Sequence, residues 1–246
     1  MKVMENQKKN VVIVGASGGI GSGFLSRYLE DQSVGHIFTL SRSKLDDEFQ
    51  ESERLTTLEC NIENEKSIAD AVANITAPLH RVIVATGILH TDKVDPEKSL
   101  SDIDKENFEK IFAVNTHAVA LLMKYLLPKL DKENPSVFAA LSARVGSISD
   151  NHIGGWYAYR ASKAALNMLI KTASIELKRK NDNAAIIALH PGTVDTQLSK
   201  PFQNYVKEGH LFTVEHATSK MKDVIEKTQA SDTGKIFDYA GDEIQP

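Results

Sequence analysis

The chain reads as an α/β protein, a doubly wound parallel sheet with helices on both faces. Short aliphatic runs recur at residues 11–14, 37–40, 55–58, 82–85, 137–141, 185–189 and 236–239, and amphipathic stretches at 20–30, 66–73, 107–130, 157–180 and 214–228 lie between them. The runs lack the alternation of a half-exposed sheet, as expected of strands covered on both faces. Strand and helix alternate from end to end, which calls for parallel pairing through right-handed crossovers. The 246 residues contain no repeat, low-complexity tract or linker-like break, so one domain is expected over 1–246, behind a short polar lead at 1–9.

Composition narrows the function classes. A net charge of −4 gives no long-range pull toward phosphate backbones or anionic lipid, so neither nucleic acid nor membrane is an expected partner. Residues 1–10 are polar and lysine-bearing, and no later apolar run approaches bilayer-spanning length; a reducing cytoplasm is the expected location. Cys60 is alone, excluding an intramolecular disulfide, and reads as a small core residue. The eight histidines are scattered without metal-ligand spacing, so no metal is expected. Lys178, Arg179 and Lys180, at the end of a long helix, complement its negative pole rather than form a nucleic-acid patch.

The first strand runs directly into Gly15-Ala16-Ser17-Gly18-Gly19-Ile20-Gly21, and an amphipathic helix follows at once. This is the Rossmann-type context. A diphosphate must approach the backbone and accept its N–H groups at a helix N-terminus, and a Cβ at the turn would block it. Gly15, Gly19 and Gly21 are the expected cradle. The second strand ends in Thr39-Leu40-Ser41-Arg42-Ser43. An acidic residue there would bind the ribose 2′-hydroxyl, whereas Ser41 cannot repel a 2′-phosphate and Arg42 can pair with one, so NADP(H) is favoured and NAD(H) stays possible.

Tyr159 and Lys163 stand four apart in a strongly helical stretch and share one helix face. A phenol with pKa near 10 is a poor base at neutral pH, and a nearby ammonium favours the phenolate. The pairing therefore points to proton transfer.

Together these residues resemble the short-chain dehydrogenase/reductase family over nearly the whole chain. The glycine turn, Tyr159-x-x-x-Lys163, Asn115 within Val114-Asn115-Thr116, and Pro191-Gly192-Thr193-Val194 stand in the family's order. The segments 142–148, 154–160 and 234–239 are more similar to the C-factor and Sniffer-like carbonyl reductase branch. The resemblance implies that Tyr159 protonates the substrate oxygen during reduction, that Lys163 lowers its pKa and holds the nicotinamide ribose, and that Asn115 supports a water relay to Lys163. It further implies cofactor contacts from Ser17, Ile20, Ser41, Asn61, Ile62, Thr86, Gly87, Pro191, Gly192, Val194 and Thr196. A homodimer or homotetramer is implied too, paired through the helices at 107–130 and 157–180. Their apolar stripes, Ile111, Val114, Leu121, Leu122 and Leu126 on one and Leu166, Leu169, Ile170 and Ala173 on the other, fit that pairing or simple packing on the sheet.

The chain departs from the family at three places. Ala143 stands where a serine holds the substrate oxygen, which leaves Ser142 as the expected ligand and Ser147 as the alternative. The family's Asn-Asn-Ala-Gly is Val84-Ala85-Thr86-Gly87, with Thr86 expected to supply part of the lost bracing. Its acidic residue near the adenine is Asn61, whose amide can still serve an adenine edge. Trp156, Tyr157, Phe202 and Phe212 are candidates for an apolar pocket, and 196–212 for a substrate lid. The expected function is NADP(H)-dependent reduction of an aldehyde or ketone, or oxidation of the matching alcohol. A dinucleotide-binding signalling or sensor protein of the C-factor type is the alternative.

Overall fold

Residues 8–45, 49, 52–91 and 95–246 are described by a computed structural model; the first seven residues of the polar lead lie outside them. Strand β1 (Lys9–Val14) leads through the glycine turn into helix α1 (Gly19–Glu30) and back to β2 (Val34–Ser41). There follow β3 (Leu55–Glu59), α2 (Glu65–Ala73) and β4 (Arg81–Val84), then α3 (Lys105–Phe112) and α4 (Ala118–Leu126), then β5 (Ser136–Leu141), α5 (Tyr157–Lys180) and β6 (Ala184–His190). A two-residue ribbon, β7 (Thr193–Val194) with β8 (Leu211–Phe212), brackets a loop before α6 (Val214–Lys227) and β9 (Ile236–Asp238).

The seven-stranded sheet has the order β3-β2-β1-β4-β5-β6-β9, and every pairing is parallel. Each run expected to be a strand falls on one of these seven. Successive side chains go to opposite faces. Val12, Val14, Ile186 and Ala188 pack with residues of α2, α4 and α5, while Val11, Ile13, Ile187 and Leu189 pack with residues of α1 and α6. Both faces being covered, β4 and β5 are buried at every residue, which is why their sequences do not alternate.

The stretch expected as one helix over 107–130 is broken. A π-helical turn, Ala113–His117, separates α3 from α4, and a 3₁₀ turn, Leu127–Lys129, ends it. π-Helical turns gather at functional sites, and this one carries Asn115. The same stretch corrects the expectation that no apolar run is long enough to span a bilayer, since Lys105–Lys129 is, with mean hydropathy 1.3. Half of its apolar window is buried inside the domain, so its hydropathy is that of a core helix. Ile111, Val114, Leu122, Leu126, Leu166 and Ile170 are buried in the chain's own core, with Leu121, Leu169 and Ala173 packed against it. Packing within the chain's own domain is one of the two readings of these stripes, and pairing between copies through the same helices remains a proposal.

Candidate active site

The glycine turn, the Thr86-Gly87 loop, Ser142 and Pro191-Gly192 follow directly on the carboxyl ends of β1, β4, β5 and β6. Gly15 has φ +82 and donates its N–H to Leu40 O at 2.8 Å, turning the chain out of β1. A Cβ on Gly21 would be driven into the Gly15 carbonyl, so α1 can start this close to the strand only with glycine there. Gly18 caps α1 without a side-chain hydrogen bond, and its first turn holds no acidic residue. The orphan amides are thus left for an anion. Ser17 and Gly19 are exposed on this turn and Ile20 is half-buried, packing on the core below. Thr196 covers the turn from above, its Cγ2 lying 2.9 Å from where a Gly19 Cβ would stand.

At the ends of β2 and β3 the side chains are less free than the sequence suggests. The Ser41 hydroxyl donates to Ser43 O at 2.7 Å. Asn61 accepts Glu63 N–H on Oδ1 at 3.1 Å, closing a local turn, while Ile62 is buried beside it. Arg42 is 69% exposed, with its guanidinium 3.8 Å from a Glu63 carboxylate oxygen. That carboxylate is held more tightly by Lys110, at 2.7 and 3.0 Å.

Thr86 does not brace the loop after β4: its Oγ1 is buried without a hydrogen-bond partner. The bracing comes from Asn115, which is fully buried. Its Oδ1 accepts Ile88 N–H at 2.8 Å, and its Nδ2 donates to Ile88 O at 2.8 Å and to Ser162 Oγ at 3.2 Å. Thr116 Oγ1 adds a bond to Ser162 O at 2.9 Å, so the π-helical turn is pinned to α5. Both amide protons of Asn115 are thereby committed. The orphaned Thr86 hydroxyl, the start of α1 without a side-chain cap and the close glycine turn together fit a dinucleotide diphosphate.

Tyr159 and Lys163 occupy the first turns of α5. Lys163 Nζ donates to Leu141 O at 2.9 Å and lies 5.8 Å from the centroid of the Tyr159 ring. Gly87 faces Lys163 and Asn115, a Cβ there lying 3.4 Å from Lys163 Nζ and 3.5 Å from Asn115 Oδ1. The expectation that Lys163 lowers the phenol pKa is overturned for this arrangement. Burial pushes Tyr159 up to about 12 and pulls Lys163 down to about 8. Desolvation is the cause of both shifts, since it disfavours the charged form of each group.

The serine question resolves against Ser142. Its Oγ is buried and donates to Asn167 Oδ1 at 2.7 Å, about two helical turns beyond Tyr159 along α5. Ala143, the next residue in an extended chain, faces the other way. Ser147 is no freer: it is 2% exposed, pairs with Ser149 Oγ at 3.2 Å and accepts Asp150 N–H at 3.2 Å. Among the described residues none hydrogen-bonds the Tyr159 hydroxyl.

The sequence model for short chain dehydrogenases matches residues 9–207. The chain belongs to the short chain dehydrogenase family. It is 30% identical over 146 residues to C-signal of Myxococcus xanthus, a match covering 59% of this chain and 82% of that protein. Its fold is similar to that of an NADPH-bound carbonyl reductase from chicken fatty liver, with TM-score 0.84 and 24% identity over 98% of this chain and 95% of the other. It is likewise similar to the carbonyl reductase Sniffer of D. melanogaster, with TM-score 0.85 and 24% identity over 97% and 100%.

Within this oxidoreductase family frame, the mouth of the site is aromatic. Trp156 precedes α5 in the left-handed region, φ 52 and ψ 46, a conformation that costs a non-glycine residue about 1–2 kcal/mol. Its ring meets Tyr159 at 6.2 Å and Phe202 at 5.0 Å, and Phe202 meets His90 at 5.8 Å. His90 Nε2 also lies 3.2 Å from Leu198 O, tying the loop after β4 to the expected lid. Gly192, at φ +76 behind Pro191, lets β6 turn into β7, where buried Val194 accepts Ser199 Oγ at 2.6 Å. Tyr157 and Phe212 stand apart from this wall; Phe212 packs on Tyr239 at 4.7 Å. The sequence reading missed His90 and Ser199, neither of which has a local pattern that would mark it.

The cradle makes a direct prediction. Gly21→Ala must displace Gly15 or α1, so nucleotide affinity should fall by about a hundredfold or more, the order expected when positioning slips by about 1 Å. Fluorescence titration with NADPH measures it, and an unchanged affinity would place the nucleotide elsewhere.

Proposed function

We propose that this chain is an NADP(H)-dependent carbonyl reductase, or the corresponding alcohol dehydrogenase, with Tyr159 as general acid/base. The observation that carries the reading is the Tyr159–Lys163 pair on the first turns of α5, beside Gly87 and at the open edge that holds the glycine cradle. Gly15, Gly19, Gly21 and the amides of α1 would hold the diphosphate, with Thr196 closing over it. Thr86, Gly87 and Lys163 would line the ribose and nicotinamide end. Bound there, a reduced nicotinamide supplies the hydride. Tyr159, held protonated by burial, gives its proton to the substrate oxygen, and the Lys163 ammonium stabilises the phenolate that forms. With Ser142 committed to Asn167 and Ala143 bearing no donor, Tyr159 alone meets that oxygen. The wall of Trp156, Phe202 and His90 favours a largely apolar carbonyl. A non-catalytic signalling role draws on the likeness to C-signal, and loss of NADPH absorbance with aldehydes, ketones and quinones separates the two readings.

Tyr159→Phe removes the proton donor and keeps the ring. Turnover should fall by a factor of about 10²–10⁴ with NADPH affinity unchanged. A near wild-type rate would refute the role.

The pH dependence follows from the two shifts. A phenol near 12 stays protonated across the neutral range, so reduction should be flat from about pH 6 to 8. Above about 8 Lys163 loses its proton and kcat/KM for reduction should decline. A profile rising through that region would contradict the assignment.

Arg42 carries the cofactor preference, with Glu63 as its rival partner. An exposed charge-assisted contact lies at the low end of the usual range, so Arg42→Ala should weaken NADPH by about tenfold and NADH little. Glu63→Gln removes the competing carboxylate and should tighten NADPH by about two- to threefold, again sparing NADH. Wild-type protein binding both dinucleotides equally would dismiss this reading and leave Tyr159 untouched.

A further inference from the structure

Glu97 is 3% exposed on the loop ahead of α3, though nothing beside it in sequence marks a core position. Both ends of the residue are spent on the first turn of α5. Its main-chain carbonyl accepts Trp156 N–H at 2.5 Å, and its carboxylate Oε2 accepts Ala158 N–H at 3.2 Å, 61 residues along the chain. These two amides flank Tyr157 and run straight into Tyr159. Trp156, the residue capping α5, offers no side-chain acceptor, so this partner is supplied from a distance. A carboxylate there also faces the positive pole of a 24-residue helix. The loop is itself anchored, Asp102 Oδ2 accepting Lys98 and Ser99 N–H at 3.1 and 2.9 Å. Trp156 is the one non-glycine among the described residues with positive φ, and the Glu97 carbonyl holds its amide in place.

We propose that Glu97 is the positioning residue for Tyr159. By bonding the amides on either side of Tyr157, it fixes where the first turn of α5 sits and so where the phenol meets a carbonyl oxygen. The inference rests on the reading of Tyr159 as the acid/base. Glu97 touches neither reacting partner and acts through the helix backbone. A displacement of about 1 Å at a proton donor is enough to lower turnover by about a hundredfold.

The test compares Glu97→Ala, Glu97→Gln and Tyr159→Phe. Glu97→Ala should lower kcat by about 10- to 100-fold, with KM and the NADPH dissociation constant changed less than about twofold. Its solvent deuterium isotope effect on kcat should rise, because a misplaced donor makes proton transfer limiting. Glu97→Gln keeps an acceptor oxygen and should restore most of the loss. A lowered melting temperature with kcat and isotope effect unchanged would mean a structural role only and overturn the proposal. If Glu97→Ala does not fold, Glu97→Asp, whose shorter side chain draws the acceptor away from Ala158 N–H, and Asp102→Ala serve instead: a raised isotope effect in either supports positioning, and wild-type values in both overturn it. Combined with Tyr159→Phe, Glu97→Ala should slow residual turnover no further, since both act through one hydroxyl. Tyr159→Phe at near wild-type rate removes the underlying reading, whereas an inactive Tyr159→Phe beside a fully active Glu97→Ala overturns the Glu97 inference alone.

Discussion

A sheet sealed on both faces has nowhere to place chemistry except its ends. β4 and β5 are buried at every residue, and a polar group aimed up or down from them would meet Phe138, Leu166 or Ile187 rather than water. The carboxyl ends escape this, because there the ladder stops and the chain must turn. Gly15, Gly87 and Gly192 each stand just after a strand of that edge, and each turn delivers backbone rather than side chain to the cleft. The long helix α5 starts at the same edge, so Tyr159 and Lys163 arrive there by topology.

The strands and most helices could be read from the sequence because each depends on a local period. The glycine cradle was equally legible, since its spacing and its place between strand and helix are one local feature. What escaped depends on distance or on a half-turn of geometry. The π-helical turn at Asn115 is invisible because one extra residue per turn leaves the apolar pattern of 107–130 intact. Ser142 misled because it neighbours the reactive position along the chain, yet alternation turns its hydroxyl onto Asn167. Thr86 was expected to brace a loop that Asn115 holds from another helix, and Glu97 meets Ala158 across 61 residues. Such pairings are set by the fold and leave no trace in either neighbourhood.

The same contrast runs through the electrostatics. Spacing alone puts an ammonium beside a phenol and suggests that the phenol is brought toward neutrality. Burial reverses the outcome, because desolvation disfavours the charged form of both the phenol and the ammonium. The phenol that results stays protonated across the neutral range. Under the proposed role of Tyr159, and with Ser142 committed to Asn167, the placement of the first turn of α5 acquires a weight that a serine would otherwise share.

The two ends of the cleft differ in what a single residue can decide. At the reacting end Asn115, Ser162 and Lys163 are almost wholly withdrawn from solvent, and their hydrogen bonds leave little spare capacity. Loss of one partner there strands another buried polar group. At the opposite end Arg42 is mostly exposed and shares Glu63 with Lys110, so any contact it makes is screened and contested. On the proposed reading, cofactor preference would therefore be graded and adjustable by neighbouring charges, and the chemistry steeply dependent on geometry. The aromatic wall of Trp156, Phe202 and His90 lies between these regimes: Trp156 packs on Tyr159, and this one non-glycine residue of positive φ among the described residues is kept in place by the same Glu97 that holds the helix behind it.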